Sequence, residues 1–168
     1  MTGHPAIAPW ETWEGDVPAG MNAASLADEV ERSTADLLGS IAPLSEEAMA
    51  APETFDQWSG QDLLAHCLAW AEICAKILQE MAEGTLDLDD YRHLPVYDES
   101  EDGLNQRQVD ELRDAPTDEL VQRIERARDL AADALRRLEG DPPAMLVLLT
   151  FGVHLDDHAD AFRKAAGV

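Results

Sequence analysis

Apolar positions recur at helical spacing along most of the chain, and nowhere does a run alternate with period two. The clearest stripe lies in residues 144–165. Val147/Leu148, Phe151, Leu155 and Phe162 share one face there, and Asp156, Asp160, Arg163 and Lys164 take the other. This pattern predicts a single amphipathic helix. Its apolar face also carries His154 and His158, four residues apart. Side chains at that spacing sit about 5–6 Å apart at Cβ. A buried polar group without a partner costs free energy, so two inward histidines call for a shared role.

The other helices are read the same way. A first helix is predicted over residues 22–39, with Asn22 as N-cap, Gly39 as stop and the stripe Leu26, Val30, Ser33/Thr34, Leu37 running on toward Ile41. Ser45, Glu46 and Glu47 cap a short turn through Met49 that Pro52 ends. The second main helix starts at Ser59, with Asp62 at N3 as a capping box and Trp58 stapled onto Leu63. Its stripe, Leu63, His66/Cys67, Trp70, Ile73/Cys74, Ile77 and Met81, puts a third histidine on an apolar face before Gly84 ends the helix. Residues 85–102 form an acidic connection long enough for a crossover between non-adjacent helix ends. A short helix over residues 103–114 breaks at Ala115-Pro116. Thr117 then caps a helix reaching Leu138 on the stripe Leu120/Val121, Ile124, Ala127, Ala131 and Leu135. Gly140 and Asp141-Pro142-Pro143 turn the chain into the last helix. Four long helices with short extra ones predict an all-α four-helix bundle with a long crossover connection. The bundle domain is placed at residues 22–168, behind an irregular N-terminal arm, residues 1–21, that carries Trp10 and Trp13. His4 and His93 lie off any stripe and read as surface residues.

The length of 168 residues suits one domain, and an apolar fraction of 45% suffices for a core. The formal charge of −23, from 35 acidic and 12 basic residues, repels phosphate backbones and anionic membrane surfaces. Nucleic acid and membrane are therefore not expected partners. The expected partner is a small-molecule substrate, with a homodimer as the candidate assembly. Cys67 and Cys74 lie seven apart on one predicted helix, roughly 10 Å along its axis, too far for a disulfide. Reduced cysteines and the lack of a basic, then apolar, leader point to a cytoplasmic protein.

The chemistry converges on His66, His154 and His158. Facing helices of a bundle build metal sites from such side chains. Neutral imidazoles suit zinc, nickel, copper or iron(II), zinc or nickel foremost. Three protein ligands that leave a position open match catalytic zinc, whereas structural sites close with four. Asp62 and Asp157 stand where they could orient the second ring nitrogens. Cys67 points about 100° away from His66 around its helix, and it reads as core packing, as does Cys74. No glycine-rich phosphate loop, Ser-His-Asp order or reactive-cysteine signature is present.

These residues resemble a known family. WSGQDLLAHCLAW (residues 58–70) resembles the tryptophan–polar–aspartate–leucine–x–x–histidine segment of the DinB-like superfamily, which includes the mycothiol-dependent maleylpyruvate isomerase N-terminal domain. HLDDHADAFR (154–163) resembles the end of that domain, and GLNQRQVDELRDAPTDEL (103–120) its asparagine-bearing helix and break. The resemblance implies a DinB-type four-helix bundle whose metal ligands are His66, His154 and His158. It implies a low-molecular-weight thiol cofactor such as mycothiol or bacillithiol. The isomerase itself resembles this chain with glutamate where His154 stands, followed by a further domain, so the three-histidine, stand-alone branch is the closer expectation. The expected activity is metal-dependent thiol transfer to a small electrophile. No catalytic residue and no thiol-binding residue is assigned. The rival expectation is a non-catalytic or metal-free bundle acting as a binding or resistance protein.

Overall fold

In the computed structural model, which describes residues 18–91, 94 and 100–167, every regular element among the described residues is helical. Most of the N-terminal arm, with Trp10 and Trp13, lies outside the described residues, as do His4 and His93. Helix α1 spans Ala23–Ile41. Asn22 caps it reciprocally: Ser25 N–H donates to Asn22 Oδ1 at 3.0 Å, and Asn22 N–H donates to Ser25 Oγ at 2.8 Å. The helix does not stop at Gly39. Ser40 and Ile41 are buried and continue the core face, and Pro43, which has no N–H to give the ladder, follows the C-cap Ala42. The predicted stripe Leu26, Val30, Ser33, Thr34, Leu37 is buried throughout. Its two hydroxyls are satisfied by their own helix, Thr34 donating to the Val30 carbonyl at 2.7 Å and Ser33 to the same oxygen at 3.4 Å.

Helix α2, Glu46–Ala50, is capped by Ser45. Helix α3, Gly60–Glu83, opens on the predicted capping box, with Ser59 Oγ accepting from Asp62 N–H and Asp62 accepting from Ser59 N–H. It closes on Gly84 at φ 70°, a left-handed position that glycine fills without strain. The long connection holds a 3-10 turn, Leu88–Tyr91, whose Tyr91 hydroxyl donates to Glu80 Oε2 at 2.7 Å. Helix α4, Ser100–Leu112, begins three residues before the expected start at residue 103. Helix α5, Thr117–Arg137, corrects the expected cap: Pro116 occupies the N-cap and Thr117 is already helical. Proline at that boundary lacks only an N–H that no helical carbonyl would have used.

The last stretch is not the single α-helix expected for residues 144–165. It divides into α6 (Ala144–Val147), a π-turn (Leu148–Gly152) and α7 (Val153–Ala166). Helices α1, α3, α5 and α7 share one core, in which Leu26, Leu37, Leu64, Leu68, Ile77, Leu120, Ile124, Leu135, Phe151, Leu155 and Phe162 are fully buried. Arginine–carboxylate pairs clamp three of the helix contacts from outside. Arg136 binds Glu31 at 2.8 Å between α5 and α1, Arg123 binds Glu72 at 2.8 Å between α5 and α3, and Arg32 binds Asp156 at 2.7 Å between α1 and α7. Arg163 adds a second α7–α1 pair with Asp36. Among the described residues no ion pair joins α3 to α7, although these helices touch. No helix there is long and apolar enough to cross a membrane.

The capping box at the start of α3 gives the first prediction. Ser59→Ala removes the oxygen that accepts from Asp62 N–H and the hydroxyl that donates to Asp62 Oδ2 at 2.8 Å. Urea unfolding should show a loss of about 1 kcal/mol with an unchanged m-value. A variant as stable as the parent would show that the cap does not hold this helix start.

Candidate metal centre

Where α3 and α7 meet without an ion pair, three imidazoles meet instead. His66 comes from the second turn of α3 and is 6% exposed. His154 and His158 come from successive turns of α7 and are half-buried. His66 Nε2 lies 2.9 Å from His154 Nε2, and His158 Nε2 lies 3.1 Å from the same atom. One ring nitrogen from each residue falls within a 4.8 Å span. The rings stand edge to face, with centroids 4.6–5.3 Å apart. The three site residues expected from the sequence are thus brought together, and among the described residues they form a group that could hold a metal ion.

The π-turn prepares this arrangement. A π-turn adds a residue to a helical turn and is found mostly as a single-turn insertion inside α-helices, frequently at functional sites. Thr150 lies in it, four residues before His154. Its carbonyl faces His154 Nδ1 at 3.4 Å, while its hydroxyl donates to the Leu146 carbonyl at 2.7 Å. With the proton on Nδ1, His154 presents a bare Nε2 to the cluster. Gly152 ends the turn at φ −43°, ψ −99°. A Cβ there would sit 3.0 Å from Leu148 Cδ2 and 3.4 Å from Glu29 Oε1, so glycine lets α1 approach the turn closely.

Burial keeps the imidazoles neutral. Loss of solvent pushes His66 down to about 2, and the neighbouring His154 and His158 add to the effect. Loss of solvent pushes His154 down to about 3, with His158 adding and the Thr150 carbonyl opposing. His158 is lowered by burial and partly supported by the Asp157 carboxylate. Neutral imidazoles with lone pairs turned toward one point are the ligand form that a divalent cation requires.

Two expected supporting roles are corrected. Asp62 does not orient His66. Its carboxylate accepts from Ser59 N–H and Ser59 Oγ–H, and His66 Nδ1 is buried with no hydrogen-bond partner. The capping geometry of α3 holds that side chain at the helix start. Asp157 is exposed and acts on His158 through its charge, while His154 takes its orienting bond from the Thr150 backbone. Cys67 and Cys74 are free, fully buried, and raised in pKa by that burial, in keeping with core packing.

Three residues stand beside the cluster in roles the sequence reading did not give them: Trp58, Gln106 and Thr150. The Trp58 ring lies 5.1 Å from the His66 ring at a 40° tilt. Its indole N–H donates to Gln106 Oε1 on α4 at 3.1 Å. Trp58 sits at the end of a tight loop in which Glu53 and Asp56 take φ of 54° and 55°, closed by Phe55–Trp58 backbone bonds of 2.9 and 3.0 Å. The i−4 relation of Thr150 to His154 was available as a signal, because a helical side chain leans back over the preceding turn. Nothing local marks Gln106.

The family described as mycothiol maleylpyruvate isomerase N-terminal domain matches residues 30–165 of the chain. No match was found among the curated proteins or among the solved structures.

The depressed histidines predict how stability depends on pH. An unfolded histidine takes its proton near pH 6.5, whereas His66 and His154 resist protonation until pH is far lower. Between those limits the unfolded state holds more protons, so stability rises with pH. The contribution is complete above about pH 6.5 and fades as pH falls toward the folded values. In metal-free protein, wild type should lose stability relative to His154→Leu by up to about 1.4 kcal/mol per unit between about pH 6.5 and pH 5. Relief of the acidic surface works in the opposite direction and is common to both proteins. Parallel stability–pH curves for the two proteins would rule out a buried neutral His154.

Proposed function

Since the chain belongs to the mycothiol maleylpyruvate isomerase N-terminal domain family, we propose that it is a metal-dependent enzyme that activates a low-molecular-weight thiol, such as mycothiol or bacillithiol, for transfer to a small electrophile. The convergence of His66, His154 and His158 Nε2 carries this reading. In it, α1, α3, α5 and α7 form a DinB-type four-helix bundle, and the three histidines are the ligands of a divalent ion, zinc or nickel. The donor set fits: the nitrogens are neutral, close enough to share an ion, and supplied by facing helices. A bound divalent cation would supply Lewis acidity, under which a coordinated thiol loses its proton outright.

The chain's own residues set the terms of that chemistry. Thr150 holds the His154 proton on Nδ1, away from the cluster. Burial of His66 excludes water from one side of the group. The partial exposure of His154 and His158 leaves an approach for a small molecule from the other. No cysteine or carboxylate joins the cluster among the described residues. The nucleophile is therefore expected to come from outside the chain, which is the role given to the thiol. A second reading has its own observation: a bare His154 Nε2 lies within hydrogen-bond distance of both His66 Nε2 and His158 Nε2 and can accept from either or share its lone pair between them, so a metal-free binding bundle could hold the same nitrogens together.

Metal loading separates the two. Elemental analysis should give near-unit stoichiometry, largely lost in His158→Ala. Metal at a hundredfold excess over its dissociation constant should stabilise the fold by about 2.7 kcal/mol. In the cobalt-substituted protein, at least one of mycothiol, bacillithiol and glutathione should produce the near-ultraviolet sulfur-to-cobalt charge-transfer band. Equal metal content in wild type and the triple alanine variant would leave the metal-free bundle as the better reading. Metal binding with no thiol band would remove the thiol step alone.

A further inference from the structure

A histidine that ligates a metal usually donates its second ring N–H to a carboxylate, carbonyl or water, which fixes the ring's orientation. His154 follows that pattern through Thr150. His66 does not, since its Nδ1 is buried with no hydrogen-bond partner. Three other rings lie against the His66 ring: His154 and His158 on the cluster side and Trp58 beside them. The Trp58 indole is itself fixed. Its N–H donates to Gln106 Oε1, and the Gln106 amide nitrogen donates to Asp110 Oδ1 at 2.9 Å, which turns the amide oxygen toward the indole. Phe55, bonded to Trp58 through the backbone, packs edge-on against Phe162 of α7 with centroids 5.0 Å apart. A parallel bond, Trp70 indole N–H to Asn105 Oδ1 at 2.9 Å, docks α4 on α3 with no ring contact to the histidines.

We propose that Trp58 and Gln106 are positioning residues for His66: the Gln106 carbonyl holds the indole in the one place where it sets the His66 imidazole with Nε2 toward His154 and His158. The indole contact takes over the orienting role that a hydrogen bond on Nδ1 would have, while Nδ1 itself stays without a hydrogen-bond partner. This inference deepens the three-histidine metal reading and rests on it. It also makes a claim about the metal-free ring that can be read alone. A flat, pinned neighbour restricts an imidazole's rotation, and losing it should loosen the ring without unfolding α4, because the Asn105 bond remains.

The test compares three variants of similar size. Gln106→Met removes the acceptor; Gln106→Glu, made together with Asp110→Asn so that no carboxylate faces the new one, keeps an acceptor for the indole; and Asn105→Met removes the parallel α4 bond to Trp70, whose ring makes no contact with the histidine rings. Cobalt titration followed by visible absorption should show Gln106→Met binding about tenfold more weakly than wild type, with Gln106→Glu/Asp110→Asn restoring most of the affinity. Asn105→Met should lower the melting temperature by as much as Gln106→Met while leaving cobalt affinity within about twofold. In chelated protein, the His66 ring resonance should be sharp in wild type, Gln106→Glu/Asp110→Asn and Asn105→Met, and broadened or displaced in Gln106→Met. Wild-type cobalt affinity and an unchanged His66 resonance in Gln106→Met would overturn the proposal, as would equal weakening by Asn105→Met. A wild type that binds no cobalt, with the resonance contrast intact, would sink the metal reading and leave the positioning of His66 standing.

Discussion

Three neutral imidazoles must share one small volume between α3 and α7, and much of the local structure answers to that requirement. Elsewhere the long helices are tied by arginine–carboxylate pairs at their solvated edges. Such exposed pairs contribute only about 0–1 kcal/mol each, and they tolerate displacement because water fills in. The α3–α7 contact has no such pair among the described residues and has the histidines in its place. Imidazoles in a desolvated setting cannot take up protons cheaply, so the cluster holds its lone pairs available at neutral pH.

Departures from regular structure gather around this cluster. The helix that should run unbroken opens into a π-turn immediately before His154, and Gly152 leaves the helical region at the join. Two non-glycine residues with left-handed backbone stand in the short loop that presents Trp58. Local rules broken together at one place are what a functional site looks like when the rest of the fold is locally consistent. Away from it, the capping boxes, the glycine stop of α3 and the buried stripes all point the same way.

The division of labour between charges follows. Acidic residues cover the surface and give the chain its charge of −23, yet the cluster holds no carboxylate among the described residues. Asp62 serves the helix cap and Asp156 serves Arg32. An acidic side chain near a lone pair raises its proton affinity; Asp157 acts on His158 in this way from an exposed position, against the burial that lowers all three imidazoles.

The chain's local pattern carries the helical class, the caps at Asn22, Ser45 and Ser59, the stop at Gly84, and the buried stripe of each long helix. These depend on residues three or four apart, whose relation the helix fixes before any packing occurs. It also singled out His66, His154 and His158, because each sits on a stripe that must face inward. The position of the π-turn, the unpartnered Nδ1 of His66 and the Trp58–Gln106 bond are seen only once the helices are packed. His66 and His154 meet across a separation of 88 residues, and Trp58 and Gln106 across 48. No local periodicity carries information over such distances. Which side chains touch there is settled by how the helices pack, whereas Asp62 is kept from His66 by its own capping box, a relation between residues three apart.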